Sequence, residues 1–176
     1  MRTDRLQKEF GIEMQWRVFP LHPDTPEEGM ELSEMFAGRE SMIEAMQARL
    51  VKAAAAEGLP LVLRSRTCNS RRAQELGKWA ESQGVGYQFH RSVYHSYFVE
   101  GVNIGLIDDL VDIAASVGLS KDEARTILKT RSFAAAVTAD WQRSIDLRIT
   151  AVPTHIYGAK ILTGFRSYDE FVSLMS

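Results

Sequence analysis

Thr150-Ala151-Val152-Pro153-Thr154-His155-Ile156-Tyr157 is the stretch on which the reading of this chain turns. A helical pattern runs into it and a hairpin pattern runs out of it. Pro153 follows the β-branched Val152 and opens a short apolar run. Proline has no backbone N–H, so it cannot join a ladder from a central strand position. It can stand at a strand's first residue and redirect the chain, and only X-Pro bonds take the cis form at modest cost. Taken alone, the segment fits both an ordinary edge-strand proline and a corner that redirects the chain. Beyond it, Tyr157-Gly158-Ala159-Lys160 leads into a second apolar pair, Ile161-Leu162.

The flanks supply the context. Upstream, Phe133, Val137, Trp141 and Ile145 keep helical spacing and define a long helix entering the corner. Downstream, Tyr168, Phe171, Val172 and Met175 predict a final helix capped by Ser167. At the front, Thr3 to Phe10 predicts a short helix with Leu6 and Phe10 on one face, stopped by Gly11. Glu13 to Phe19 alternates polar and apolar, with Met14, Trp16 and Val18 on one side, and predicts a strand. Pro20, Pro23 and Pro26 then make 21–29 an irregular loop.

From Met30 the pattern is helical for over a hundred residues. Met42, Met46, Leu50 and Ala53 mark a helix ended by Gly58-Leu59-Pro60, and the methionine stripe is expected in the core. Asn69 or Ser70 caps the next helix, which carries Ala73, Leu76 and Ala80. Phe89, Val93 and Tyr97 belong to an aromatic-rich helix ending at Gly101. Leu106, Leu110, Ile113, Ala114 and Val117 form another, stopped by Gly118. Ser120 and Glu123 stand as a capping box.

Composition narrows the function classes. The 176 residues are 45% hydrophobic and 25% charged, which suits one domain with a real core and room for an insertion. The formal charge of −2 argues against non-specific binding to nucleic acid or to an anionic membrane. No apolar run nears the ~20 residues that span a bilayer. The single cysteine, Cys68, excludes an internal disulfide. These features together predict a cytoplasmic protein.

At this point the chain resembles the DsbA-like thioredoxin-fold family, in its FrnE-type branch. Residues 13–24 with Gly29 after Pro26 are similar to the family's second strand and following loop. Glu57-Gly58-Leu59-Pro60, Asn69 with Ala73 and Leu76, and Trp79-Ala80 resemble the middle of its helical insertion. Tyr97 to Gly101 with Ile104 resembles the aromatic helix end, and Val152-Pro153-Thr154 with Gly164 resembles the C-terminal thioredoxin half. Relatives include 2-hydroxychromene-2-carboxylate isomerases and kappa-class glutathione transferases.

The resemblance implies an α/β fold, a truncated thioredoxin fold with a large all-helical insertion. It assigns 1–29 and 148–176 to the thioredoxin-like part, with its first strand missing, and 30–147 to the insertion. It implies a cis Val152–Pro153 bond and a substrate-binding corner of Val152, Pro153 and Thr154. Oxidoreductases of the family carry Cys-x-x-Cys at the start of the first helix, where the helix dipole makes one thiol reactive. That motif is absent here, so no catalytic residue carries over. The expected function is a thiol-disulfide oxidoreductase family member that is catalytically incomplete by itself. The alternatives are a glutathione-dependent isomerase or transferase relative and a non-catalytic peptide-binding or assembly module. Partners implied are a protein or peptide thiol or disulfide, glutathione as an option, and further copies of the chain. The last follows because facing edges at 13–19 and 154–157 without a central strand would favour a homo-oligomer. No cofactor is implied.

Other candidate sites are weaker. Cys68 precedes a helix start, and Arg64, Arg66, Arg71 and Arg72 nearby in sequence are able to depress a thiol pKa. It is not at the family's catalytic position, and a structural role is expected. His90 and His95 lie five apart, about 140° around a helix, and with His22 and His155 they show no tight metal-ligand spacing. No nucleophile-elbow motif is present.

Overall fold

The computed structural model describes residues 2–175. They form two compact units, one of residues 2–21 with 138–175 and one of 22–137. The chain matches the expected class, a thioredoxin-type fold dominated by helix. The second unit is an insertion within the first, whereas the sequence division was drawn at 30 and 147.

In the inserted unit the main helices are α3 (Glu40–Ala56), α4 (Arg71–Ser82), α5 (Gly86–His95), α6 (Ile107–Ser116) and α7 (Lys121–Thr130), preceded by the one-turn α2 (Leu32–Met35). A π-turn, Ser96–Glu100, extends α5 to Gly101. The core lies where α4 to α7 meet. Leu76, Phe89, Leu110 and Leu128 are at most 1% exposed, and burying a side chain of this kind contributes ~1.5–3 kcal/mol. Asn69 caps α4 by accepting the Arg71 N–H at 2.9 Å. Ser120 Oγ accepts the Glu123 N–H at 3.3 Å, as the capping-box spacing predicts.

Among the described residues one acid is buried in this unit. Glu75 on α4 has no exposed surface. Arg131 grips it through two hydrogen bonds of 2.7 Å. Arg71 adds one of 3.0 Å and donates another to the Ala134 carbonyl, also at 3.0 Å. Burial works to raise the Glu75 carboxyl, but the two guanidiniums outweigh it and hold it below the usual value. The network joins α4 to the end of α7. Arg131 there adopts a left-handed conformation, φ 55°.

Three expectations need correction. Met30–Glu31 (β1) and Arg66–Thr67 (β2) pair antiparallel within the block read as purely helical. Two residues per strand are too few to show alternation. Gly29 makes the pairing possible, since at φ 85° a Cβ there would sit 2.6 Å from the Thr67 carbonyl oxygen. The second correction is α3. Met42, Met46 and Leu50 are 44–45% exposed, so the methionine stripe faces outward. Helical spacing defines a face; it does not say whether a partner covers it. The third is Glu13–Phe19, which forms no ladder. Its alternation is real, because Met14, Trp16 and Val18 are partly covered while Glu13, Gln15 and Arg17 are exposed. Its backbone is tied by side chains instead. Met14 N–H donates to Gln7 and Val18 N–H to Asp140 at 3.1 Å, with Arg17 on the same carboxylate at 3.2 Å.

The other unit contains α1 (Arg2–Phe10), most of α8 (Ala134–Asp146), a hairpin of β3 (Thr154–Tyr157) and β4 (Lys160–Thr163), and α9 (Tyr168–Met175). Gly11 ends α1 at φ 63°. α1 packs on α9 with Leu6, Phe171 and Leu174 buried. Arg5 lies 3.8 Å over the Tyr168 ring, whose hydroxyl donates to Glu9. Among the described residues no helix is long and apolar enough to cross a membrane.

Candidate functional site

The hairpin positions the corner. β3 and β4 pair from Thr154↔Thr163 to Tyr157↔Lys160, closed by a two-residue loop. Gly158 takes φ 58° at its first position, which a β-branched residue would resist. The Val152–Pro153 bond is cis, the conformation the resemblance implies. Thr154 Oγ1 donates to the Ala151 carbonyl at 2.6 Å and closes the bend upon itself. The Pro153 carbonyl accepts the Gly164 N–H at 2.7 Å. The bend is thus fastened on both sides of Val152, whose own backbone groups find no partner among the described residues.

The surface around the bend is apolar and open. Val152 is 42% exposed, and Ile156, Tyr157, Ile161 and Phe165 are exposed with it. Along β3 only the edge facing β4 carries a ladder among the described residues. Beneath, His155 meets Phe171 edge to face at 4.7 Å. Its Nδ1 is buried without a hydrogen bond. Burial pushes this imidazole below its ordinary value, with the Leu162 backbone opposing slightly.

The remaining candidates, Cys68, His22, His90 and His95, belong to the inserted unit. Cys68 packs partly covered against the helical core. Burial pushes its thiol up, and the opposing field of Arg64 is smaller. The arginines that could depress it do not outweigh its burial, which accords with the structural role expected of it. Arg64 is laid over the Tyr97 and Phe98 rings at 4.0 and 4.9 Å, while Arg71 and Arg72 turn to Glu75 and Glu27. The other histidines have separate partners. His22 packs on Phe36, His90 lies 3.3 Å from Glu81, and His95 lies 3.5 Å from Glu100.

Comparison with known proteins bears on this geometry directly. The model of the DSBA-like thioredoxin domain matches residues 1–176. The chain belongs to that family. The solved structure of a probable DsbA oxidoreductase from Streptomyces coelicolor superposes with a TM-score of 0.87 over 98% of this chain and 79% of that one, at 23% identity. A 2-hydroxychromene-2-carboxylate isomerase superposes at 0.74 over 99% of this chain and 83% of that one, at 16% identity. At these identities the likeness is one of fold. The uncharacterized protein YwbO of Bacillus subtilis is 32% identical over 104 residues, 56% of this chain, and the match spans half of that protein's length. The polar residues that matter most to the inserted unit, Glu75 with Arg71 and Arg131, escaped the sequence reading. The i, i+4 spacing of Arg71 and Glu75 was the one available signal.

Proposed function

We propose that this chain supplies the peptide-binding face of a thiol-disulfide oxidoreductase-type domain, with Val152, Pro153 and Thr154 as its contact residues. The observation that carries the reading is the free backbone of Val152 beside an unladdered β3 edge. An extended segment adds to such an edge through main-chain hydrogen bonds, and nearby side chains then set its preference. The exposed Val152, Ile156 and Tyr157 favour an apolar, unfolded segment. On this reading 1–29 and 148–176 form the thioredoxin-like part and 30–147 the insertion. Cys68 serves structure, because its raised pKa leaves little thiolate at neutral pH. A disulfide-exchange cycle needs an attacking and a resolving sulfur. With one cysteine the chain is expected to bind clients without completing that cycle. The unladdered edge also supports self-association into a homo-oligomer, which light scattering across concentrations tests.

Amide NMR mapping with an unfolded, S-alkylated client protein tests the binding face. Saturable shifts confined to 151–157 are expected, and Val152→Pro, which deletes one N–H, should weaken binding about tenfold. Shifts elsewhere, or unchanged affinity in the variant, refute the reading. Oxidised glutathione in place of the client separates the glutathione-dependent alternative, since it alone would then shift these amides. Insulin reduction by this chain should stay at background.

A further inference from the structure

A second candidate site lies wholly within the inserted unit and is independent of the corner. Glu27, Asn69, Arg71, Arg72, Gly105 and Arg131 line a concavity of about 100 Å³. That is several times the ~10–15 Å³ that admits one water. Its charges do not balance. Three guanidiniums face two carboxylates, Glu27 at the rim and the buried Glu75 below, so one positive charge is in excess.

The donors are unequally committed. Arg71 is spent on Glu75 and the Ala134 carbonyl. Arg131 uses Nε and Nη2 on Glu75, and its Nη1 takes no partner among the described residues. Arg72 uses Nη1 alone, toward the Gly105 carbonyl at 3.3 Å and the Glu27 carboxylate at 2.7 Å. Its Nε is buried with no acceptor. A buried charged donor without an acceptor is costly, and an oxygen delivered there removes that cost. Glu27 is 61% exposed where it meets Arg72, which is 20% exposed. An exposed carboxylate is held weakly and exchanges readily with solvent.

We propose that this concavity is an oxyanion site for a phosphate group, held between the guanidiniums of Arg72 and Arg131 once Glu27 yields its place. Glu27 is its built-in competitor, the carboxylate that occupies Arg72 until an anion displaces it. The two arginines approach from different helices, α4 and the end of α7. A phosphate brings three or four acceptor oxygens and up to two negative charges to the two guanidiniums, where a carboxylate brings two oxygens and one charge. Glu27, Arg72 and Arg131 all line this one space.

The test is titration of the full chain with inorganic phosphate at constant ionic strength, read by the arginine Nε–H signals in NMR. A saturable shift of the Arg72 signal is expected. Glu27→Gln removes the competitor and should tighten phosphate binding about fivefold. Arg72→Lys keeps the charge but deletes Nε, and should weaken it about tenfold. A free phosphate ion and a phosphomonoester are separated by repeating the titration with phenyl phosphate; binding of either meets the proposal. Shifts that do not saturate, acetate binding as tightly as phosphate, or equal affinity in the wild type and Glu27→Gln each overturn it. If Arg72→Lys does not fold, the Glu27→Gln comparison alone decides.

Discussion

Replacing Arg131 by glycine sets two local rules against each other. Arg131 holds φ 55° at the end of α7, a conformation that costs a residue with a Cβ ~1–2 kcal/mol. Glycine relieves that, though its greater freedom in the unfolded chain takes back ~0.4–1 kcal/mol. Cap geometry alone therefore predicts a variant as stable as the parent or slightly more so. The side chain argues the other way. It gives Glu75 two 2.7 Å charge-assisted bonds, and Glu75 has no exposed surface. Removing one partner of a buried pair costs ~3–5 kcal/mol. Here Arg71 remains on the carboxylate at 3.0 Å and Arg131 is 42% exposed, so the cost falls below that range, to ~2–3 kcal/mol. The loss wins by ~1–2 kcal/mol. Urea denaturation followed by far-ultraviolet circular dichroism should show a midpoint lower by ~0.5–1 M, at the usual slope of ~1–3 kcal/mol per molar. Arg131→Ala, which gains no backbone relief, should fall further. An Arg131→Gly chain at or above parental stability would refute the claim that the Glu75 network outweighs the cap.

Three shorter predictions follow from the same structure. Burial favours the neutral form of His155, so its contribution is full above the unfolded value of 6.5 and is lost as pH falls below it; the parent's urea midpoint should therefore fall between pH 7.5 and pH 5.5, and His155→Phe, which keeps a ring against Phe171, should flatten that fall. Cys68 has a thiol raised from 9.0, so iodoacetamide at pH 7.5 should alkylate it several-fold more slowly in the native chain than in the urea-unfolded chain; equal rates would count against its covered environment. Met46→Gln on the exposed face of α3 should change stability by under ~0.5 kcal/mol, while Leu76→Ala in the core should cost ~2–5 kcal/mol, both by urea titration.

What the sequence disclosed was whatever depends on near neighbours along the chain. Gly11, Gly101 and Gly118 end helices where the periodic patterns stop, each at positive φ. Ser120 with Glu123 and Asn69 with Arg71 cap helices over two or three residues. The Pro153 corner belongs with these, because a proline after a β-branched residue restricts its own bend. What stayed hidden depends on residues far apart. Arg131 and Glu75 are 56 positions from one another, and nothing in either neighbourhood marks them as partners. The two-residue strands Met30–Glu31 and Arg66–Thr67 are the same case, since pairing across 35 and 37 residues leaves no local period to detect.

The segment Glu13–Phe19 shows where such reading stops for a physical reason. Alternation is a statement about side chains, and the structure honours it by covering Met14, Trp16 and Val18. A strand is a statement about backbone partners, and the Val18 amide finds its acceptor in the Asp140 carboxylate rather than in a neighbouring strand. Asp140 is only 6% exposed and serves both Val18 and Arg17. One buried carboxylate thus does for this segment what a ladder would otherwise do. Asp140→Ala should therefore release the segment selectively. Amide hydrogen exchange at Val18 should rise by a factor of ten or more, since losing a charged acceptor is worth ~1.5–3 kcal/mol. Exchange at Leu76 and Leu110 in the other unit should stay unchanged. A Val18 amide as protected as in the parent would mean that the segment is held by packing of Trp16 and its neighbours, and that the carboxylate is incidental.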